Sequence, residues 1–196
     1  MTGNGARIGP NALIQVAETL KARLGHDVCR DIFTQADLAA ALDAPPTTMV
    51  PEADVIRLHT VLRRSLGVTQ AIDIAQEAGR RTGDYLLANR IPDLVQRVLR
   101  LLPSRLASRA LLAAIGKNSW TFVGSGELSI EPGRPAILTV HNCPLCRETP
   151  ADAPLCTFYA GTFQRLFQVI VAPATSVRET ACRAMGAPAC TFRVDW

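Results

Sequence analysis

Residues 176–196 read SVRETACRAMGAPACTFRVDW. β-Branched and aromatic residues sit towards both ends of this stretch, while Gly186 and Pro188 stand between Cys182 and Cys190 and suit a short turn. The pattern predicts a hairpin with the two cysteines facing each other near its mouth. Directly opposed residues of such a pair hold their Cβ atoms about 4.5–5.5 Å apart, so both sulfurs can reach one ion. Cys156 and Glu179 lie upstream. Taken as a set, Cys156, Glu179, Cys182 and Cys190 form a candidate tetrahedral metal site, because thiolate sulfur and carboxylate oxygen are what zinc accepts and a structural zinc is closed by four protein ligands.

Glu179 carries a stereochemical condition. Residues three apart on a regular strand point to opposite faces, so Glu179 and Cys182 can share an ion only if a bulge intervenes or the longer side chain bends round. Two plainer readings stand beside the metal. Free cysteine is among the most buried residue types, and a Cys182–Cys190 disulfide across the hairpin also fits the distances. The disulfide is disfavoured by the absence of a secretory signal, since cytosolic thiols stay reduced.

Upstream of Cys156 the pattern changes in character. The stretches SWTFVGSGELSI (119–130) and PAILTVHN (135–142), separated by the turn residues EPGR, predict a first hairpin, and Leu155 to Val171 predicts a helix. Before residue 117 the periodicity is helical: Pro10–Leu24, Asp27–Leu42, Pro51–Leu66, Val68–Asn89 interrupted or tolerated at Gly79 and Gly83, Pro92–Leu101 and Ser104–Ile115, with APPTTMVP as a loop. The fold class expected is α+β, a helical part over 1–117 packed on an antiparallel sheet of two hairpins within 118–196. At 196 residues and 48% hydrophobic composition, one domain with a sizeable core is expected over 1–196.

The net charge of +4 comes from arginines spread along the chain, without the basic run and interleaved aromatics of a nucleic-acid face. The start, MTGNGARIGP, is polar and reads as no signal peptide, and no apolar run approaches the ~20 residues that span a bilayer. A cytoplasmic protein is expected, with a place at the membrane periphery open.

HNCPLC (141–146) holds a second group. His141, Cys143 and Cys146 could bind a ligand or metal, since Cys-x-x-Cys suits metal and thiol redox chemistry alike. Pro144 and Pro150 imply a loop rather than a redox helix, and a second zinc would have only Cys29 left as a further cysteine. A cysteine-containing loop beside the metal site is the plainer reading. Among the histidines, His59 falls on an apolar helical face and reads as core; His141, at a strand end, is the better candidate for an axial magnesium ligand. The pairs Arg63–Arg64 and Arg80–Arg81 could meet a propionate, but a solvated helix face accounts for them.

PLCTFYAGTFQRLF (154–167) followed by VRETACRAMGAPACTFRV (177–194) resembles the C-terminal half of the 4-vinyl-reductase-like domain family. From IGPNAL (8–13) to CTFRVDW the chain is similar to a family of bacteriochlorophyll-biosynthesis proteins of purple phototrophs. The resemblance implies a fold like that of trafficking-particle subunits, a structural zinc on Cys156, Glu179, Cys182 and Cys190, and a homodimer. It also implies a magnesium-porphyrin or chlorophyllide ligand and a pathway enzyme as partner, such as the magnesium-protoporphyrin methyltransferase or chelatase. The family name suggests an 8-vinyl reductase, whereas no Gly-x-Gly-x-x-Gly between strand and helix offers a dinucleotide site, and the cysteine spacings match neither common ferredoxin pattern. The reading preferred is a non-catalytic carrier holding its ligand between helices and sheet. A reductase using an external donor, and a small-aromatic sensing domain, are the alternatives.

Overall fold

The computed structural model describes residues 5–196; residues 1–4, part of the polar start read as no leader, lie outside the described residues. Seven helices come first: α1 (Asn11–Leu24), α2 (His26–Gln35), α3 (Ala40–Asp43), α4 (Glu52–Leu66), α5 (Val68–Asn89), α6 (Asp93–Leu101) and α7 (Ser104–Lys117). Two residue pairs, β1 (Arg7–Ile8) and β2 (Val50–Pro51), form a small ladder that the sequence does not announce, since Val50 reads there as loop. The segment expected as one helix over Asp27–Leu42 is two. Asp37 takes φ +55°, a left-handed backbone that no α-helix continues through.

The second part holds β3 (Glu127–Glu131), β4 (Ala136–His141), α8 (Thr157–Ile170), β5 (Ser176–Ala181) and β6 (Cys190–Asp195). Both expected hairpins form, each shorter than its sequence signal: Ser119–Thr121 and Arg183–Met185 are 3-10 turns rather than strand. The hairpins join through β4 and β6 into one antiparallel sheet of order β3-β4-β6-β5. Alternation then sorts the side chains. Ala136, Leu138 and Val140 on β4 and Cys190, Phe192 and Val194 on β6 are buried on one face, under α8. Phe122, Tyr159, Phe163 and Phe192 fill that interface, with ring centroids 5.7–6.2 Å apart. Burying one such ring contributes up to ~3 kcal/mol.

Helices α5 and α8 cross at very short range. A Cβ on Gly79 would lie 2.0 Å from the Phe158 carbonyl oxygen, and one on Gly161 would lie 2.3 Å from that of Gln76. The glycines expected to interrupt α5 therefore leave it continuous and supply the notch that α8 enters. Thr162 Oγ1 donates to the Gly79 carbonyl at 3.0 Å, Thr157 Oγ1 to that of Ile72 at 2.9 Å, and Arg165 pairs with Asp84 at 2.5 Å.

His59 lies in the core as expected, edge-on to Phe158 with centroids 6.1 Å apart. Burial, helped by the charge of Arg63, pushes its pKa down to about 3 from an ordinary 6.5. The imidazole is therefore neutral in the folded protein at neutral pH.

This packing can be tested at the glycines and at the histidine. Gly79→Ala and Gly161→Ala should each lower the unfolding free energy by about 3 kcal/mol, as overpacking does, while Gly116→Ala, whose Cβ would meet only Ile130 Cδ1 at 3.4 Å, should leave a denaturant melt unchanged. As pH falls, the unfolded chain takes up a proton on His59 near pH 6.5, and the folded chain refuses it until about pH 3. Stability from this group is complete above that upper value and is lost through the window. Between pH 7 and 4.5, His59→Leu should lose about 2–3 kcal/mol less than the parent in urea titrations.

Candidate metal centre

Four segments converge where the sheet meets the start of α8. Cys156 is the residue from which α8 begins, so its thiol sits at the positive end of the helix dipole. Cys182 follows β5 and Cys190 opens β6. The bulge required by the spacing is present: Glu179 pairs with Phe192 while Ala181 pairs with Thr191, leaving Thr180 extra, so Glu179 and Cys182 turn to the same side. The structure brings Cys156, Glu179, Cys182 and Cys190 together, with one ligand atom of each lying within 4.8 Å of the others.

Cys143 and Cys146 join the same cluster rather than standing in a loop beside it. Val140 pairs with Cys190, so the chain leaving β4 runs beside the mouth of the second hairpin. Its 3-10 turn, Pro144–Cys146, then points both sulfurs inward. Cys143 and Cys156 are 3.4 Å apart, Cys146 and Cys190 3.4 Å, Cys156 and Cys190 3.6 Å, and Cys182 and Cys190 3.9 Å. A zinc ion with ~2.3 Å bonds to sulfur would space its ligands ~3.8 Å apart, close to these values. Cys143, Cys146, Cys156 and Cys190 make a second quartet, sharing Cys156 and Cys190 with the first. The further ligands that a separate second ion would need are thus replaced by sharing, and Cys29 stays in the helical part, where its thiol meets the Ala17 carbonyl.

The surroundings favour a cation. All five cysteines are buried. Glu179 Oε2 accepts the Cys156 N–H at 2.8 Å, but Oε1 is buried without a partner. Burial, followed by repulsion from Cys182, raises the Glu179 carboxyl to about 9. Burial likewise raises the Cys156 thiol. A dry pocket with this many acidic groups holds their charges only when a positive ion compensates them, and a ligand bond would satisfy the orphaned oxygen. The Arg183 N–H points at Cys190 Sγ from 3.5 Å, the kind of donor that supports a bound thiolate.

Arg63 is the residue that reading the sequence misplaced. Its guanidinium is half-buried over the cluster instead of solvated, donating to the Leu145 carbonyl at 3.0 Å and to Thr149 Oγ1 at 3.3 Å, with its charge felt by Cys156 and Cys146. Nothing in its helical position signals this, because the partners lie over eighty residues away. Arg147 ties down the same loop, paired with the buried Glu52 at 2.5 Å, which also accepts from the Ser125 N–H at 2.6 Å. Arg64 is exposed, and Arg80 and Arg81 pair with Glu77, so for these three the solvated face holds. His141 is exposed at the end of β4, 3.5 Å from Ser129 Oγ, and is in neither quartet.

Comparison with known proteins gives the cluster a setting. The 4-vinyl-reductase domain family matches residues 136–195, which contain the six candidate ligands. Over 96% of its length the chain is 43% identical to the bacteriochlorophyll synthase 23 kDa chain of Cereibacter sphaeroides, of which it covers 90%. Among solved structures, one from the H-NOX family, determined to probe heme distortion, superposes with a TM-score of 0.60 at 12% identity, covering 96% of this chain and 95% of that one. The phenol-responsive sensory domain of the transcription activator PoxR superposes with a TM-score of 0.54 at 16% identity over 74% of each chain. At such identities the likeness is one of fold.

Elemental analysis should find about one metal ion per chain. Cys190→Ser, which removes a member of both quartets, should abolish it and lower the melting temperature. Because the orphaned oxygen belongs to Glu179, Glu179→Gln should lose most of the metal while Cys143→Ser keeps it; the reverse pattern would assign the ion to the four cysteines.

Proposed function

Because the chain belongs to the family of the bacteriochlorophyll synthase 23 kDa chains, we propose that it serves bacteriochlorophyll synthesis by handling a tetrapyrrole. It binds a magnesium-porphyrin or chlorophyllide intermediate and presents it to a pathway enzyme, the methyltransferase or chelatase, without changing a bond itself. The observation that carries this reading is a fold shared over 96% of the chain with a family studied for the distortion of its heme, the same class of flat macrocycle. The relative's name supplies the pathway.

The metal proposed for Cys156, Glu179, Cys182 and Cys190 is a structural zinc. Its three thiols are fully buried and leave no open position for substrate, which is how structural sites differ from catalytic ones. Bound there, zinc would act as a cross-link whose binding energy counts towards folding. The chain's own residues do the rest: Arg63 and Arg147 hold the cysteine loop against α4, and Glu179 anchors the start of α8.

The interface between α8 and the sheet, expected to hold the ligand, is filled by its own rings. A groove of about 260 Å³ beside α5 and α8 is lined by charged and amide side chains, including Asp73, Glu77 and Arg80, and does not suit an apolar macrocycle. The aromatic rim is better matched. Trp120, 63% exposed, stands two residues before Phe122, whose ring meets Tyr159 and Phe163 edge-on. The macrocycle is proposed to enter there by displacing Phe122.

Titrating the metal-analysed protein with magnesium protoporphyrin and its monomethyl ester, with and without an electron donor, tests the reading. Saturable binding of about one equivalent is expected, with quenched tryptophan emission and intact vinyl groups, weakened at least several-fold by Trp120→Ala. No saturable binding would sink the carrier. An 8-ethyl product would replace it with the reductase.

A further inference from the structure

Helix α6 is built inside out. Its only buried residue is Gln96, whose amide donates to the carbonyls of Leu87 at 2.6 Å and Ile91 at 2.8 Å and so pins the polar side of the helix to the end of α5. The apolar side faces water. Leu94 is 72% exposed, Val98 51% and Leu101 87%, and Val95 and Leu102 share their side of the helix. At 3.6 residues per turn these five positions form one stripe about 120° wide, and exposed Leu106 continues it onto α7. Leaving so much apolar surface in water marks an interaction site.

Charge identifies the partner. Residues 90–117 carry six Lys and Arg against the single Asp93, a net +5, while the whole chain is +4, so the remainder is close to neutral. Arg97, Arg100, Arg105 and Arg109 are exposed, and none has an acidic partner among the described residues. An amphipathic helix with protruding leucines and flanking arginines is the form that lies in a membrane interface, apolar side down, with its cations against anionic headgroups. A second copy of the chain fits less well, because symmetry would set two such cationic faces against each other. No helix among the described residues is long and apolar enough to cross a bilayer.

We propose that the α6–α7 face docks the protein onto an anionic phospholipid surface, with Leu94, Val98 and Leu101 among the acyl chains and the arginines at the headgroups. This stands apart from the tetrapyrrole reading, since it uses neither the aromatic rim nor the metal centre.

Co-sedimentation of the full chain with phosphatidylcholine vesicles, alone and with one third phosphatidylglycerol, tests it. Binding at least ten-fold stronger to the anionic vesicles is expected, weakening as salt rises. Val98→Asp/Leu101→Asp and Arg97→Gln/Arg105→Gln should each reduce it at least ten-fold, with circular dichroism and metal content as in the parent. Absent binding, equal binding to both vesicles, or equal binding by the variants would overturn the proposal. So would a dimer in light scattering that Val98→Asp/Leu101→Asp converts to monomer, which would assign the face to self-association.

Discussion

The close crossing of α5 and α8 is the constraint on which the rest of the molecule depends. Backbone meets backbone at Gly79 and Gly161, so the relative position of the two helices has almost no freedom. Everything downstream is referred to that contact. Cys156 begins α8, and Thr157 bonds the α5 carbonyl of Ile72, so the first candidate ligand is fixed to the helical part while Cys182 and Cys190 are fixed to the sheet. Phe158, on the same first turn, meets the buried His59 of α4. One helix thus couples the α4–α5 layer, the aromatic interface and the cysteine cluster.

The cluster itself concentrates acidic groups where water cannot solvate them. Five thiols and a carboxyl in one dry pocket would be costly as anions and poorly satisfied as neutral groups, since Glu179 would leave an oxygen without a partner. A divalent ion resolves both problems. Four anionic ligands would leave the site negative by about two charges, and the half-buried guanidinium of Arg63 offsets part of that excess. Shared membership of Cys156 and Cys190 in two quartets means that one ion has two neighbouring sets of ligands, an arrangement richer than the three cysteines and one glutamate that the hairpin needs.

The molecule is accordingly uneven. Its C-terminal half is stitched by the sheet, α8 and the cluster, and its interior faces are apolar in the ordinary way. At α6 the rule reverses, with an amide inside and leucines outside, because Gln96 finds two backbone carbonyls freed by the end of α5 and the leucines find nothing. The centre that ties the fold together and the face that meets the outside are therefore built from different residues.

Much of this is written in local patterns. Helical periodicity located α1, α4, α5, α6, α7 and α8, because each buries a stripe at a spacing that the chain itself displays. The turn residues Gly186 and Pro188 marked the second hairpin, and the three-residue interval from Glu179 to Cys182 demanded the bulge that is found. Other features have no local signature. Nothing in residues 141–146 says that β4 pairs with β6 across an intervening helix and hairpin turn, yet that pairing brings Cys143 and Cys146 beside Cys190. Arg63 looks like any exposed arginine until the cysteine loop folds over it, and Gly79 looks like a helix breaker until α8 occupies its notch. Sequence alone determined which elements form and which residues could bind a metal, since those depend on neighbours along the chain; tertiary structure alone decided which ligands meet, because contacts between distant segments are set by packing and strand order, which leave no periodicity in the sequence.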